Sequence, residues 1–346
     1  SLVNVADQPD QWVAGEAMSH LDTLDDAWLL IEDGKIKDYG RMDNLKEKDF
    51  PGQTLDASDR MVFPSFCDSH THLVFAGSRE IEYGDKIRGL SYEEIAKRGG
   101  GILNSSRLLH NTPEDSLYEQ SLRRIHEIIA LGTGAVEIKS GYGLSVEDEL
   151  KMLRVIKRLK ETTPVTIKST FLGAHSIPAD YKEDPDRYVD LVVNEMLPEV
   201  GRQDLADYVD VFCDRGFFTV GQTDRILDAS QKYGLQPKIH ANELDYSGGI
   251  QVGVKHQALS VDHLEYTGDQ EIQALLKSQT MPTLLPGAAF FLGLVDPPVR
   301  KMIQAGLPIA LASDYNPGSS PSGNMKFIMS LGTIKLKMLP EEVIHA

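Results

Sequence analysis

The sequence has few cysteines, no long apolar segment and a shortage of positive charge. Its 346 residues include two cysteines, Cys67 and Cys213, whose wide separation excludes a disulfide framework and a Cys-x-x-Cys site. This use of cysteine predicts a reducing, cytoplasmic location. No apolar run has the length of a membrane span, and no basic segment followed by an apolar one indicates a signal peptide.

Acidic residues outnumber basic ones by 52 to 35, which gives a formal net charge of −17. A chain of this charge is repelled by nucleic acid and by anionic membranes, so we expect neither as a partner. The balance does not exclude a small anionic substrate held by one local arginine. We therefore expect a small-molecule substrate.

From Met61 onward, apolar strand candidates alternate with helical patterns. The strand candidates cover residues 61–67, 134–139, 165–172, 208–213, 236–239, 258–261, 281–285 and 307–312. Eight strand–helix units predict an α/β fold, a (β/α)8 TIM barrel over residues 61–346, rather than an open doubly wound sheet.

Residues 1–60 are β-rich and carry no cluster of candidate catalytic groups. Asp33-Gly34 lies between two apolar runs, which predicts a hairpin. We interpret this segment as the N-terminal part of a small β-sandwich-like domain. The last residues, 340–346, have the pattern of a helix start, and we expect the sequence to be truncated before a C-terminal β segment that completes the small domain.

Chemistry in such a barrel sits at the C-terminal ends of the strands. The first strand ends in His70-Thr71-His72, and residues two apart on a strand point to one face. His240 follows the fifth strand and Asp314 follows the eighth. Three imidazoles and a carboxylate suit Zn²⁺ or Fe²⁺, with Mn²⁺ as a further option. A metal-bound water becomes acidic enough to serve as the nucleophile, and Asp314 could accept its proton.

The order of these histidines and of Asp314 resembles the amidohydrolase superfamily, whose members are metal-dependent TIM-barrel hydrolases. Five longer motifs resemble the imidazolonepropionase family within it, and the resemblance runs from about Trp28 to the end of the sequence. These motifs occupy residues 64–79, 137–143, 171–175, 240–243 and 313–319.

The resemblance implies hydrolysis of 4-imidazolone-5-propanoate to N-formimidoyl-L-glutamate in histidine degradation, by a homodimer with one divalent metal per chain. It implies His70, His72, His240 and Asp314 as metal ligands, and Glu243, His263 and Asp314 as catalytic residues. The implied substrate-binding residues are Arg79, Tyr92, Tyr142, His175, Glu243, Asn316, Gly318 and Ser319.

The residue chemistry agrees with these roles. Arg79 offers a planar fork for the propanoate carboxylate, and the N–H groups of Gly318 and Ser319 could face the same anion. The ring carbonyl could be polarised by His263, and the leaving nitrogen could be protonated by Glu243 or Asp314.

Strand four ends in Cys213-Asp214 and has no lysine that could bridge two ions, which favours a single metal. The acidic run Glu147-Asp148-Glu149 is interpreted as the solvated first turn of a helix.

Simpler interpretations remain open for several residues. His263 could be a packing or outer-sphere histidine, Arg79 a surface ion-pair residue, and Tyr142 a packing residue between glycines. For the whole chain, the alternatives are another mononuclear amidohydrolase, either a nucleobase-type deaminase or a cyclic amidase, and a barrel scaffold without catalysis.

Overall fold

The computed structural model describes residues 1–5, 11–45, 52–90 and 100–346. The N-terminal segment contains two antiparallel pairs of short strands. These strands are β1 (Leu2–Val3), β2 (Thr23–Leu24), β3 (Ala27–Glu32) and β4 (Lys35–Arg41), paired as β1 with β2 and β3 with β4. Asp33 and Gly34 connect β3 to β4 with positive φ angles of 52° and 72°, as a tight hairpin turn requires, so the predicted hairpin is confirmed.

Eight parallel strands form the centre of the molecule, and each one pairs with its sequence neighbour. They are β5 (Phe66–Thr71), β6 (Thr133–Lys139), β7 (Thr166–Ala174), β8 (Tyr208–Cys213), β9 (Gln236–Ala241), β10 (Ser260–His263), β11 (Met281–Leu284) and β12 (Ala310–Leu311). A parallel bridge between Thr71 and Tyr315 joins the first strand to the segment after the last. The sheet is therefore nearly closed, and the predicted α/β TIM barrel is confirmed.

Helices surround the sheet and cover its outer face. They are α1 (Glu80–Ile87), α2 (Ile102–His110), α3 (Glu114–Leu131), α4 (Val146–Thr162), α5 (Pro185–Leu191), α6 (Leu197–Arg202), α7 (Val220–Ser230), α8 (Gly249–Lys255), α9 (Asp269–Leu276), α10 (Pro286–Leu292), α11 (Val299–Gln304), α12 (Met325–Ile334) and α13 (Pro340–His345). Short 3₁₀ turns cover Gly15–Ser19, Met42–Asn44, Ala179–Tyr181 and Gln231–Tyr233, and a π turn covers Val192–Met196. None of the described helices has the length and apolarity needed to cross a membrane.

The first barrel strand is displaced from its predicted position at residues 61–67. Met61 is 62% exposed, and Val62 exchanges backbone hydrogen bonds with Ser1 and Val3. The apolar run before Pro64 therefore pairs with the chain's N-terminal segment, and β5 begins only at Phe66. The last strand is also shorter than predicted, because the backbone at Leu307 accepts a hydrogen bond from Gly15 outside the sheet.

The strands in the described part of residues 1–60 are the two pairs given above. The sandwich-like completion of this segment and the domain boundary at residue 60 stay predictions.

Candidate active site

Three imidazoles meet inside the C-terminal mouth of the barrel. His70 lies near the end of β5, His72 follows it by two residues, and His240 lies near the end of β9. All three are buried, and one ring nitrogen of each lies within 4.8 Å of those of the other two. Alternation along β5 brings His70 and His72 to the same side, as the sequence predicts.

Two buried aspartates orient the histidines from behind. The Nδ1 atom of His70 lies 2.6 Å from Asp262 Oδ2, and Nδ1 of His240 lies 3.0 Å from Asp210 Oδ2. These contacts direct the Nε2 atoms of both rings toward the common centre. His70 Nε2 has no hydrogen-bond partner among the described residues. A divalent metal ion is bound by imidazole nitrogens that converge on one point and are oriented by hydrogen bonds from behind. The site therefore fits a divalent metal ion.

The fourth predicted ligand, Asp314, joins the same centre. Its Oδ1 atom lies 3.6 Å from His70 Nε2 and 3.5 Å from His72 Nε2. The Asp314 N–H donates to the His70 carbonyl, which fixes the closing turn of the barrel at this point. Burial raises the pKa of Asp314 to about 7. Burial and neighbouring cations lower the pKa of His70 and His72, so both imidazoles are neutral and able to bind a metal.

No lysine in the described part of the chain bridges this centre. Lys139 ends β6 and is fully buried, but its Nζ atom lies 2.9 Å from Glu137 Oε1 and 2.8 Å from Asp210 Oδ2. Burial disfavours the ammonium, yet these carboxylates outweigh that effect and raise the pKa of Lys139. Lys139 therefore stays charged beneath the histidines, and the cluster suits a single metal ion.

A cavity of about 320 Å³ opens from the histidines toward solvent. It reaches every predicted substrate-binding residue that the structure describes. These residues are Arg79, Tyr142, His175, Glu243, Asn316, Gly318 and Ser319. Tyr92 lies in the 91–99 segment, outside the described residues.

Arg79 lies in this cavity and not on the surface. Its Nε and Nη2 atoms contact Glu82 Oε2 at 2.8 and 2.7 Å, with the Arg79 side chain only 8% exposed. A Cβ atom at position 318 would lie 1.9 Å from Arg79 Nη1, so only glycine leaves room for the guanidinium there. Glu82 therefore fixes the orientation of the guanidinium. The sequence did not predict this role, because Glu82 has the pattern of a surface residue on a short helix.

The turn at residues 316–319 differs from the predicted anion-binding arrangement. The N–H groups of Gly318 and Ser319 both donate to Asn316 Oδ1 at 2.8 Å, so they are engaged within the turn. Ser319 Oγ lies 3.3 Å from Asp314 Oδ2. The turn thus contacts the Asp314 carboxylate and makes space for Arg79. The expectation that its N–H groups face the substrate anion is wrong in this arrangement.

The loop that carries Tyr142 depends on a buried acid. Glu149 is fully buried and accepts hydrogen bonds from the N–H groups of Gly141, Gly143 and Leu144. Burial raises the pKa of Glu149 to about 7. The interpretation of residues 147–149 as a solvated turn is therefore wrong for Asp148 and Glu149, which are buried, while Glu147 is exposed. The signal in the sequence was a glycine-rich loop followed closely by an acidic residue.

Two predicted catalytic side chains face each other across the cavity wall. His263 Nε2 lies 3.7 Å from Glu243 Oε2, and both residues are buried. Burial and the nearby Asp314 raise the pKa of Glu243, while burial lowers that of His263. His175 stacks on His72 with ring centroids 4.8 Å apart. The structure thus brings together all the predicted site residues that it describes.

Known structures share this fold. Guanine deaminase from E. coli aligns with 99% of this chain and 79% of its own at a TM-score of 0.73 and 13% identity. The 5-methylcytosine deaminase from Klebsiella pneumoniae, liganded with 5-fluorocytosine, aligns with 90% of this chain and 78% of its own at a TM-score of 0.66 and 17% identity. This likeness shows a shared (β/α)8 barrel fold, and the histidine cluster at its mouth is a candidate metal site.

Sequence comparison identifies the family. The imidazolonepropionase of Christiangramia forsetii is 54% identical over 345 residues, which cover 100% of this chain and 84% of that protein. That of Flavobacterium johnsoniae is 54% identical over 334 residues, covering 96% and 81%. This chain therefore belongs to the imidazolonepropionase family. No protein-family model matches it.

Proposed function

We propose that this protein hydrolyses 4-imidazolone-5-propanoate to N-formimidoyl-L-glutamate in histidine degradation. The observation that carries the proposal is the shared cavity, in which the histidine cluster and the buried guanidinium of Arg79 lie within reach of one small molecule. A cyclic amide with a carboxylate tail requires these two features together. The relatives at 54% identity carry the name of this activity.

The cofactor would be one divalent metal ion held by His70, His72, His240 and Asp314. When bound, Zn²⁺ or Fe²⁺, with Mn²⁺ as a further option, supplies an acidified water and polarises the ring carbonyl. The neutral imidazoles of His70 and His72 need no proton removed before they bind it. The identity of the metal is tested by elemental analysis of protein purified without added metal.

The remaining chemistry belongs to three side chains. The Asp314 carboxylate accepts a proton from the water that adds to the ring carbonyl carbon. The bond from that carbon to the ring nitrogen then breaks, and Glu243 protonates the departing nitrogen. His263 contributes a hydrogen bond to the developing charge on the carbonyl oxygen. The raised pKa of Glu243 favours the protonated form that such a donor needs.

Arg79 would bind the propanoate carboxylate. Glu82 holds the guanidinium in one orientation, so little side-chain entropy is lost when the carboxylate binds. Tyr142 and His175 form the adjacent wall, with their ring centroids 5.4 Å apart. The flat imidazolone ring would lie between this wall and Glu243.

The test is product analysis with freshly prepared 4-imidazolone-5-propanoate. Ring opening to N-formimidoyl-L-glutamate, without release of ammonia from cytosine or guanine, is the expected result. Ammonia release from a nucleobase and no turnover of the imidazolone would instead identify a deaminase. Bound metal with no turnover of either class would favour a scaffold.

We also infer a homodimer in the cytoplasm, with residues 1–60 forming part of a separate small domain. The family resemblance supports the first inference, and the two free cysteines agree with a reducing compartment. Light scattering on the eluting protein tests the dimer, and fractionation of the source cells tests the location. Limited proteolysis near residue 60 tests the domain boundary.

A further inference from the structure

The backbone at the end of β10 is strained in a way that aims one side chain. His263 and Leu264 are consecutive non-glycine residues with positive φ angles, 88° and 71°. Each is unfavourable for a residue with a Cβ atom, and such strain persists only where the surroundings enforce it. The Leu264 N–H donates to the Ala241 carbonyl, which locks this turn against β9. The turn fixes the position of the His263 imidazole.

The two nitrogens of that imidazole face two different carboxyl groups. Nε2 lies 3.7 Å from Glu243 Oε2 on the cavity side. Nδ1 lies 4.0 Å from Glu265 Oε2 on the opposite side. Glu265 does not line the cavity, so it contacts the reaction only through His263. The three side chains form a row, Glu243–His263–Glu265, that runs from the cavity into the protein.

The inner pair of this row consists of groups that lack other partners. Among the described residues, His263 Nδ1 and both carboxyl oxygens of Glu265 have no hydrogen-bond partner. Glu265 is only 4% exposed. Leaving such groups unpaired in the protein interior is unfavourable. A movement of about 1 Å would bring Glu265 into hydrogen-bond range of Nδ1 and satisfy both groups.

We propose that Glu265 is a positioning residue that hydrogen-bonds Nδ1 of His263 and thereby fixes the tautomer that His263 presents to the substrate. No cation contacts Glu265 among the described residues, so its carboxyl group is neutral and donates its O–H to Nδ1. Nδ1 is then an acceptor, and the ring proton sits on Nε2, where it points toward the substrate carbonyl. Burial and Glu243 raise the pKa of Glu265, which agrees with a neutral carboxyl.

Two variants of Glu265 test the proposal, because they differ in whether the side chain can donate a hydrogen bond to Nδ1 of His263. Glu265→Gln keeps a donor for Nδ1, whereas Glu265→Leu has none. We expect Glu265→Gln to keep kcat within about threefold, and Glu265→Leu to lower kcat at least about tenfold, since loss of one hydrogen-bond donor to a developing oxyanion lowers kcat about 10²–10³-fold. KM and metal content should stay unchanged in both variants. Glu271→Gln is the matched control, because Glu271 is a buried acid of the same segment that instead bonds Gln251 and Gly268.

A second background separates positioning from a merely structural role. In a His263→Asn protein, Glu265→Leu should cause no further loss of kcat. An equal loss in both backgrounds, or wild-type kcat in Glu265→Leu, would overturn the proposal. A kcat for Glu265→Gln as low as that of Glu265→Leu would overturn the donor assignment.

Nitrogen NMR of protein labelled with ¹⁵N-histidine gives a readout that needs neither substrate nor a folded Leu variant. The His263 signals, assigned by their loss in His263→Asn, should show Nδ1 without a proton and Nε2 with one. The opposite tautomer would contradict the proposal. The inference rests on the proposed function, but separate results test the two. Absence of imidazolone turnover by the wild-type protein would contradict the proposed function, while the NMR result would still test the His263–Glu265 contact.

Discussion

Carboxylates that contact the ring nitrogens orient the imidazoles of the site. Asp262 and Asp210 hold the Nδ1 sides of His70 and His240, while Asp314 stands 3.5–3.6 Å from the Nε2 atoms of His70 and His72. His70 is thus contacted by a carboxylate on both sides, whereas His72 Nδ1 has no hydrogen-bond partner among the described residues. Loss of one imidazole should remove a ligand without loosening the other two.

His72→Ala should abolish metal binding and turnover together, because His72 supplies a ligand but lies outside the strand ladder that supports the barrel. His110→Ala is the matched control, since the His110 side chain is 71% exposed and contacts Asp148 far from the cluster. Metal analysis and a turnover assay on both variants give the readout. Full metal content in His72→Ala would contradict the ligand assignment.

Arg79→Met should raise KM by about 10- to 100-fold with little change in kcat, because a hydrogen bond to a charged group contributes about 1.5–3 kcal/mol. Arg88→Met serves as the control, as Arg88 is 73% exposed and pairs with Asp85 at the end of the same helix. Steady-state kinetics distinguish the two variants. An unchanged KM in Arg79→Met would place the substrate carboxylate elsewhere.

At this scale the sequence predicted the side chains that reach into the cavity but not those behind them. His70, His72, His240 and Asp314 follow strands, and strand ends of a barrel meet at one face. Asp210 acts on His240 from a different strand, and a single sequence does not show such a contact. Glu82 and Glu149 lie close in sequence to the groups they hold, but no periodic pattern marks them as buried. For Asp210 a signal was available as well, because it interrupts the apolar strand Tyr208–Cys213 and an acid in a buried strand needs a partner.

Loops between strands and helices carry the binding wall, and one of them is held by a helix. Glu149 in the first turns of α4 accepts three N–H groups of the loop that presents Tyr142. These hydrogen bonds attach the loop to the first turns of α4.

Glu149→Ala should lower the unfolding temperature and raise KM, because three buried N–H groups lose their acceptor at about 1–3 kcal/mol for each group left unsatisfied. Glu147→Ala is the control from the same helical turn, where the side chain is exposed. Thermal unfolding and steady-state kinetics measure the two effects. Equal behaviour of the two variants would show that the loop does not depend on Glu149.

The bounds of a strand were predicted well where its apolar segment coincides with the residues that pair in the sheet. They were predicted poorly where the two differ. Strand β8 was predicted with its observed bounds, since its apolar run coincides with its ladder. The first strand was placed several residues too early because the backbone of Val62 pairs with the N-terminal segment outside the barrel sheet. The hydrophobic pattern of a single sequence does not show which strand an apolar segment will pair with.

The barrel as a whole has charges at its centre. Lys139 lies beneath the histidines with Glu137 and Asp210, and Lys238 lies 3.4 Å from Asp262. These buried pairs connect the site's supporting carboxylates to one another. The stability of the fold and the geometry of the site are therefore coupled.

Lys139→Met should destabilise the protein by about 3–5 kcal/mol, because removing one partner leaves buried carboxylates without a counter-charge. Lys168→Met is the control, since Lys168 lies on the neighbouring strand, is 50% exposed and pairs with Asp207. Denaturant unfolding compares the two variants. A loss no larger than that of Lys168→Met would mean that the central charges do not support the barrel.

We expect one metal ion at the histidine cluster to enable hydrolysis of the imidazolone. The most direct measurement is to remove metal with a chelator and titrate it back while following turnover of 4-imidazolone-5-propanoate. Activity should return linearly and reach its plateau at one metal ion per chain. A plateau at two ions per chain, or full activity in the metal-free protein, would contradict the account.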